Sequence, residues 1–216
     1  MTTGGYLPLL HQLDRWQADA KKRHPNVIPC RAGCAACCHG PFDISVADAA
    51  VLLDGVAALP EATRAEVLAR AQGQVAMMVE LAPGWRPPYD IADIGDDRFD
   101  AVSDALADEP CPMLDGAGRC LAYHHRPMVC RIMGLGMVVE SGRVLENTCP
   151  IQADFPDYAA LVPAPFALAR WEEGEEREHA AAAMRVFATE GRASYETTVA
   201  GAIVASGGVA GRAITG

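Results

Sequence analysis

The sequence predicts a mainly α-helical fold, its helices packed around an irregular cysteine-rich centre with at most a small β-hairpin. Three observations predict it. Apolar residues recur at helical spacing through several long windows, and Pro, Gly or Ser residues punctuate those windows. Strand-like runs are scarce and fall in one short stretch near residues 135–145. Four of the eight cysteines crowd into the nine residues from Cys30 to Cys38, while Cys111, Cys120, Cys130 and Cys149 follow only after a long gap.

The elements follow in order. From Tyr6 to Arg23, the residues Leu7, Leu10, Leu13, Trp16 and Ala20 share one helical face, and Pro25 stops the helix. Small residues separate the thiols between Cys30 and Cys38, so the backbone there can wrap tightly. After Gly40-Pro41, Ser45 is placed as a helix N-cap, with Asp48 three residues on in a capping-box-like position. A further helix is expected over residues 61–81 and a short one over 97–107, separated by the turn-forming Pro83-Gly84 and Pro87-Pro88. Asp115-Gly116-Ala117-Gly118 marks a turn just before Cys120. Residues 135–140 and 143–145, joined by Ser141-Gly142, read as the small hairpin. The chain then returns to helix, about 165–189 and 194–205, and ends in a Gly-rich tail from Ser206 that is expected to fray.

A chain of 216 residues buries roughly 70% or more of its unfolded surface, enough for a core without cross-links. With 50% hydrophobic and 21% charged residues the composition is that of an ordinary globular protein. We therefore expect one domain over residues 1–216, with a cysteine region at 30–149 and flanking helices at 6–23 and 165–205. The formal net charge of −10 repels phosphate backbones and anionic headgroups, so neither nucleic acid nor a membrane is expected as a partner. A protein partner stays open. The first residues carry no basic, apolar leader pattern and no segment has the apolar length of a membrane span, which together predict a cytoplasmic location where thiols stay reduced.

Reduced thiols in a chain that needs no staples ask for another role. Thiolate is a soft ligand suited to zinc and iron–sulfur centres, and Cys34-Ala-Ala-Cys37 has the two-residue spacer that closes two thiolates on one centre. The candidate metal ligands are Cys30, Cys34, Cys37, Cys38, Cys111, Cys120, Cys130 and Cys149, and the cofactor is zinc or an iron–sulfur cluster. Cys37 and Cys38 are sequence neighbours whose side chains diverge in regular backbone, so at most one of them is expected on any single centre. Two sets of four thiolates, or one shared cluster with thiols left over, are both allowed.

Four thiolates on a zinc ion or a [4Fe–4S] core leave a net charge of about −2. Arg126 and Arg131 are the candidate second-sphere cofactor-binding residues that would offset it, ahead of Arg31 and Arg119. His39, His124 and His125 lie near the cysteines but are not needed to complete a site. Tyr123 and the methionines Met113, Met128, Met133 and Met137 read as packing residues. The acidic run around Glu172-Glu173 and Glu175-Glu176 reads as a solvated helix face. No phosphate-binding glycine loop and no nucleophile elbow is present in the sequence.

At Cys30-x3-Cys34-x2-Cys37-Cys38, joined to Cys111-Pro-Met-Leu-Asp-Gly-Ala-Gly-Arg-Cys120 and Tyr123-His-His-Arg126-Pro127-Met-Val-Cys130-Arg131, the sequence resembles the YkgJ-like cysteine-cluster family of zinc- or iron-chelating domains. The resemblance spans roughly Cys30 to Cys149. It implies a zinc or iron–sulfur centre without implying a defined activity. Some members are described as flagellin lysine N-methylases, which are longer, and no methyl-donor motif is visible here. The C-x3-C-x2-C spacing also matches the cluster loop of radical S-adenosylmethionine enzymes, but the alternating strands and helices of their barrel are missing. The leading expectation is a metal-binding protein with thiolates drawn from two separated cysteine groups. A cluster-dependent protein-modifying enzyme of the lysine N-methylase kind, or a structural zinc-stapled protein, is the alternative.

Overall fold

A computed structural model describes residues 5–30 and 33–207, so Arg31 and the tail beyond residue 207 lie outside the described residues. Eight α-helices occur among them: α1 Tyr6–Arg23, α2 Val46–Ala57, α3 Glu61–Leu81, α4 Asp96–Ala105, α5 Val129–Ile132, α6 Pro156–Ala159, α7 Leu168–Phe187 and α8 Val199–Ala205. The fold is mainly α with small sheets. No described helix is long and apolar enough to cross a membrane.

Helix α1 buries Tyr6, Leu10, Leu13, Trp16 and Ala20, the stripe its periodicity marks, and carries Lys21, Lys22 and Arg23 in its last turn, where positive charge faces the partial negative end of the helix. Helix α2 is different. Val46 to Leu53, Gly55 and Val56 are all buried, so it is covered all round. An all-round buried helix belongs in the middle, and α2 divides the core there. Val46, Ala47, Ala50 and Val51 join α1, α7 and the hairpin in one apolar cluster, while Ala49, Leu52 and Val56 join α3, α4 and α8 in another. An ion pair of 2.7 Å from Arg185 on α7 to Asp54 on α2 fastens the first of these layers at its edge.

The expected hairpin is present as β2 (Met137–Val138) against β3 (Val144–Leu145), with β1 (Asp43–Ser45) preceding them in the chain. Two pairings go beyond the sequence reading. Strand β4 (Ala164–Pro165) adds to β2 in parallel, and β1 pairs antiparallel with β5 (Glu196–Thr198), Asp43 opposite Thr198 and Ser45 opposite Glu196. Each strand of the β1–β5 pair runs straight into a helix. Ser45 Oγ accepts the N–H of Asp48 at 3.2 Å, and Thr198 Oγ1 accepts that of Gly201 at 2.9 Å. Both hydroxyls therefore act as N-caps. The last helix begins at Val199 rather than at residue 194 because residues 196–198 are committed to this pairing.

The Asp48 carboxylate does not complete a capping box. It turns inward, where its Oδ1 accepts the Tyr6 hydroxyl at 3.1 Å and the Met128 N–H at 2.9 Å. Glu175 of α7 closes the group, accepting from Tyr6 at 2.8 Å and from Ser45 at 3.2 Å. Burial pushes the Asp48 carboxyl up to about 7; Glu175 adds to this, while the Met128 N–H and the Tyr6 hydroxyl act against it. The folded chain thus holds this proton more tightly than an unfolded chain, whose carboxyl titrates near 3.8. The resulting stabilisation is full below that value and is lost as pH rises through about 7. In urea titrations between about pH 4 and about pH 8, Asp48→Asn is expected to lack that fall. Parallel pH profiles for the two proteins would refute the assignment.

Candidate metal centre

The early cysteines sit on an irregular loop between α1 and β1, and backbone hydrogen bonds lay that loop against the later ones. Cys38 donates its N–H to Ala35 O at 2.9 Å, and its own carbonyl accepts from Cys111 N at 2.9 Å. Gly40 N donates to Glu109 O at 2.7 Å, beside the His39–Pro110 bridge. The turn foreseen at Asp115 forms: its Oδ1 accepts from the N–H groups of Ala117 at 2.9 Å and Arg119 at 2.8 Å, bringing Cys120 back into a bridge with Leu114. Gly118 has φ +72°, and a Cβ there would lie 3.6 Å from that of Ala35. The turn and the cysteine loop are therefore in contact.

Cys30, Cys34, Cys37, Cys38, Cys111, Cys120 and Cys130 line one cavity of about 80 Å³. Both halves of the cysteine complement thus face the same space. All eight thiols are free. Cys149 lies apart from the cavity wall, 7% exposed, beside Gly134 and below Tyr158, whose hydroxyl donates to Gly134 O at 2.5 Å. The thiols ring the cavity rather than meet at a point: no three His, Cys, Asp or Glu side chains among the described residues are gathered so as to hold a single metal ion. Cys37 and Cys38 both line the cavity, where residues 36–37 form a turn and the side-chain rule for strands and helices does not apply.

Burial pushes the thiols of Cys30, Cys111, Cys120 and Cys130 up, and for Cys30, Cys111 and Cys130 neighbouring thiols add to the effect. The hydrogen bond between Cys37 and Cys38 lowers the first, which also feels Arg126, and raises the second. So many thiols in a poorly hydrated pocket cannot ionise together by themselves. A bound cation removes that obstacle by replacing protons, so the donor set suits a metal.

The two candidate arginines are placed differently. Arg126 lines the cavity, with its guanidinium carbon 4.1 Å from the Tyr123 ring centroid, and donates to Tyr123 O at 2.9 Å and Asp14 Oδ1 at 2.6 Å. Arg131 is fully buried and off the cavity wall; it donates to Arg126 O and His124 O at 2.9 Å each and pairs with Asp14 Oδ2. Arg119 is mostly exposed and pairs with Asp115 at 2.9 Å. Asp14 is the residue that sequence reasoning passed over. It lies on the polar side of α1, and nothing in its spacing announces two arginines more than a hundred residues away.

His125 packs on Gly55 and His124 supplies only its carbonyl to Arg131, so neither faces the thiols. His39 borders a second, wider cleft of about 620 Å³ that reaches Cys37 and Cys130 from another side, with Phe42, Asp108, Met133 and Pro150 on its walls. Met113 lines the thiol cavity and Met137 sits in the core.

Residues 29–150 match the family model CxxCxxCC, whose description reads "Putative zinc- or iron-chelating domain". The chain belongs to this family. The match starts one residue before Cys30 and ends one after Cys149, so the CxxCxxCC domain takes in all eight cysteines and leaves α1, α6, α7 and α8 outside. Zinc or iron chelation is the property this membership supports. No curated protein and no solved structure matches the chain significantly.

Proposed function

We propose that this CxxCxxCC protein holds iron as an iron–sulfur centre on thiolates from both cysteine groups, and that it serves as an electron carrier in the reducing cytoplasm. The observation that carries the reading is the ring of thiols around a cavity of about 80 Å³. Four thiolates on one zinc ion, each at about 2.3 Å, would crowd to within about 4 Å of one another. No such group is gathered among the described residues. A water molecule needs roughly 10–15 Å³ by the same measure, so the space suits a core of several atoms better than a single ion. Arg126 supplies positive charge and hydrogen-bond donors on the wall of an otherwise acidic protein, which favours an anionic cluster. When bound, such a cluster supplies one-electron chemistry; the chain holds it, shields it and sets its local field.

Protein purified without oxygen is expected to be brown, with broad visible absorption and matching iron and acid-labile sulfide. A colourless protein with stoichiometric zinc would overturn the iron reading in favour of a structural zinc site. Absence of both metals would remove metal binding altogether.

One observation favours a second reading, a cluster-dependent protein-modifying enzyme. The cleft of about 620 Å³ reaches Cys37 and Cys130 from outside and gives a substrate chain somewhere to lie. On this reading a lysine-containing peptide should perturb the visible or paramagnetic spectrum of the reduced protein. An unchanged spectrum supports the carrier.

A further inference from the structure

We propose that Asp14 is a positioning residue of the metal centre. Its carboxylate holds the Arg126 guanidinium on the wall of the thiol cavity, which makes α1 a working part of the site although it lies outside the CxxCxxCC domain. The inference rests on the iron–sulfur reading above and names what fixes the charge beside that centre.

Helix α1 packs through its apolar stripe, yet its polar side is not all solvated. Asp14 and Gln17, one turn apart on the same face, are both half-buried, while Arg15, Ala18 and Asp19 around them are exposed. Gln17 lines the thiol cavity and donates to Met133 O at 2.9 Å, directly after α5. This face of α1 therefore covers the segment that carries Cys130.

Asp14 joins two arginines through separate oxygens. Its Oδ1 accepts from Arg126 at 2.6 Å, and its Oδ2 accepts from Arg131. The two arginines are not held alike. Arg131 is fully buried and also donates to the carbonyls of Arg126 and His124, so it cannot leave without losing those bonds. Besides Asp14, Arg126 rests on the carbonyl and the ring of Tyr123, a residue that is itself exposed. A guanidinium on a flexible stem, beside a fixed like charge, moves toward water unless something restrains it. Asp14 is that restraint, because the buried Arg131 stops the carboxylate from turning away. The Arg126 side chain accordingly stays 11% exposed.

Charge gives the sign of the effect. Arg126 on the cavity wall favours the added electron of a reduced centre, so its departure lowers the reduction potential. A carboxylate that acted through its own negative charge would do the reverse: removing it would raise the potential.

Dye-mediated redox titration of anaerobically purified wild type, Asp14→Asn, Arg126→Met and the double variant separates these cases. Asp14→Asn is expected to lower the potential, as Arg126→Met does, and the double variant is expected to fall no further than Arg126→Met alone. Asp14→Glu, which keeps the charge on a longer arm, is expected to lower it by less, and it serves as the test should Asp14→Asn not fold. An unchanged potential beside a lowered urea midpoint would reduce Asp14 to a structural role, and a raised potential would make it a direct charge; either overturns the proposal. Wild type loaded with zinc instead would overturn the iron–sulfur reading. Zinc release to a chelator then replaces the potential, expected faster in Asp14→Asn and Arg126→Met and no faster in the double variant, with unchanged or slower release in Asp14→Asn overturning the positioning role. Wild type without either metal would overturn both readings.

Discussion

Cys130→Ser is expected to strip bound metal from the protein and to lower its unfolding midpoint. Cys130 borders both the thiol cavity and the open cleft. Its neighbours come from the early loop and from the Cys111–Cys120 segment. A serine hydroxyl has nearly the same shape but is a hard, weakly acidic ligand that does not replace thiolate. Metal affinity in such sites is folding free energy: apparent values reach about 10–16 kcal/mol for structural zinc, against a net domain stability of about 5–15 kcal/mol. Losing even part of that term should leave the Cys30–Cys38 loop without its anchor. Cys37→Ser is expected to behave similarly, since its thiol faces the same cavity. Metal analysis and thermal unfolding of the anaerobic variants check the prediction. If both variants kept full metal content and unfolded like the parent, a site shared between the two cysteine groups would be wrong.

Arg131→Met is expected to cost about 1.5–3 kcal/mol, the range for losing hydrogen bonds to a charged group, because Asp14 is partly exposed and keeps Arg126. The guanidinium is fully buried and serves three acceptors at once: Asp14 on α1 and the carbonyls of Arg126 and His124. Methionine fills much of the volume but leaves the carbonyls of Arg126 and His124 without this donor and Asp14 with Arg126 alone. Lysine should rescue little, because an ammonium is a point charge and cannot span a planar fork of three acceptors. Urea unfolding at unchanged slope measures the loss. A difference below about 1 kcal/mol would show that these bonds do not bear on stability. Because Arg131 lies off the cavity wall, its loss should act through Arg126, whose carbonyl it holds.

Much of this was legible along the chain. The spacing of Leu10, Leu13 and Trp16 marks the buried face of α1, and Ser45 marks the start of α2, since both signals repeat or resolve within a few residues. Asp48 was legible only as a capping residue. Its inward turn depends on Tyr6 from one helix and Glu175 from another, which no local window contains. The same is true of Asp14 beneath Arg126 and Arg131. Cys37 and Cys38 were expected to part because regular backbone separates neighbours; residues 36–37 form a turn instead, and both cysteines line the one cavity.

By itself the sequence determined the helical class, the hairpin, the family and the eight thiols, because helical period, turn chemistry and cysteine spacing are properties of short stretches. Only the tertiary structure decided that both cysteine groups face one cavity, that Cys149 stands off its wall, and that strands of two or three residues pair β1 with β5 and β4 with β2. Those outcomes join residues from 27 to more than 150 positions apart, and strands so short carry no period of their own. Their pairing is set by the packing of the helices that deliver them.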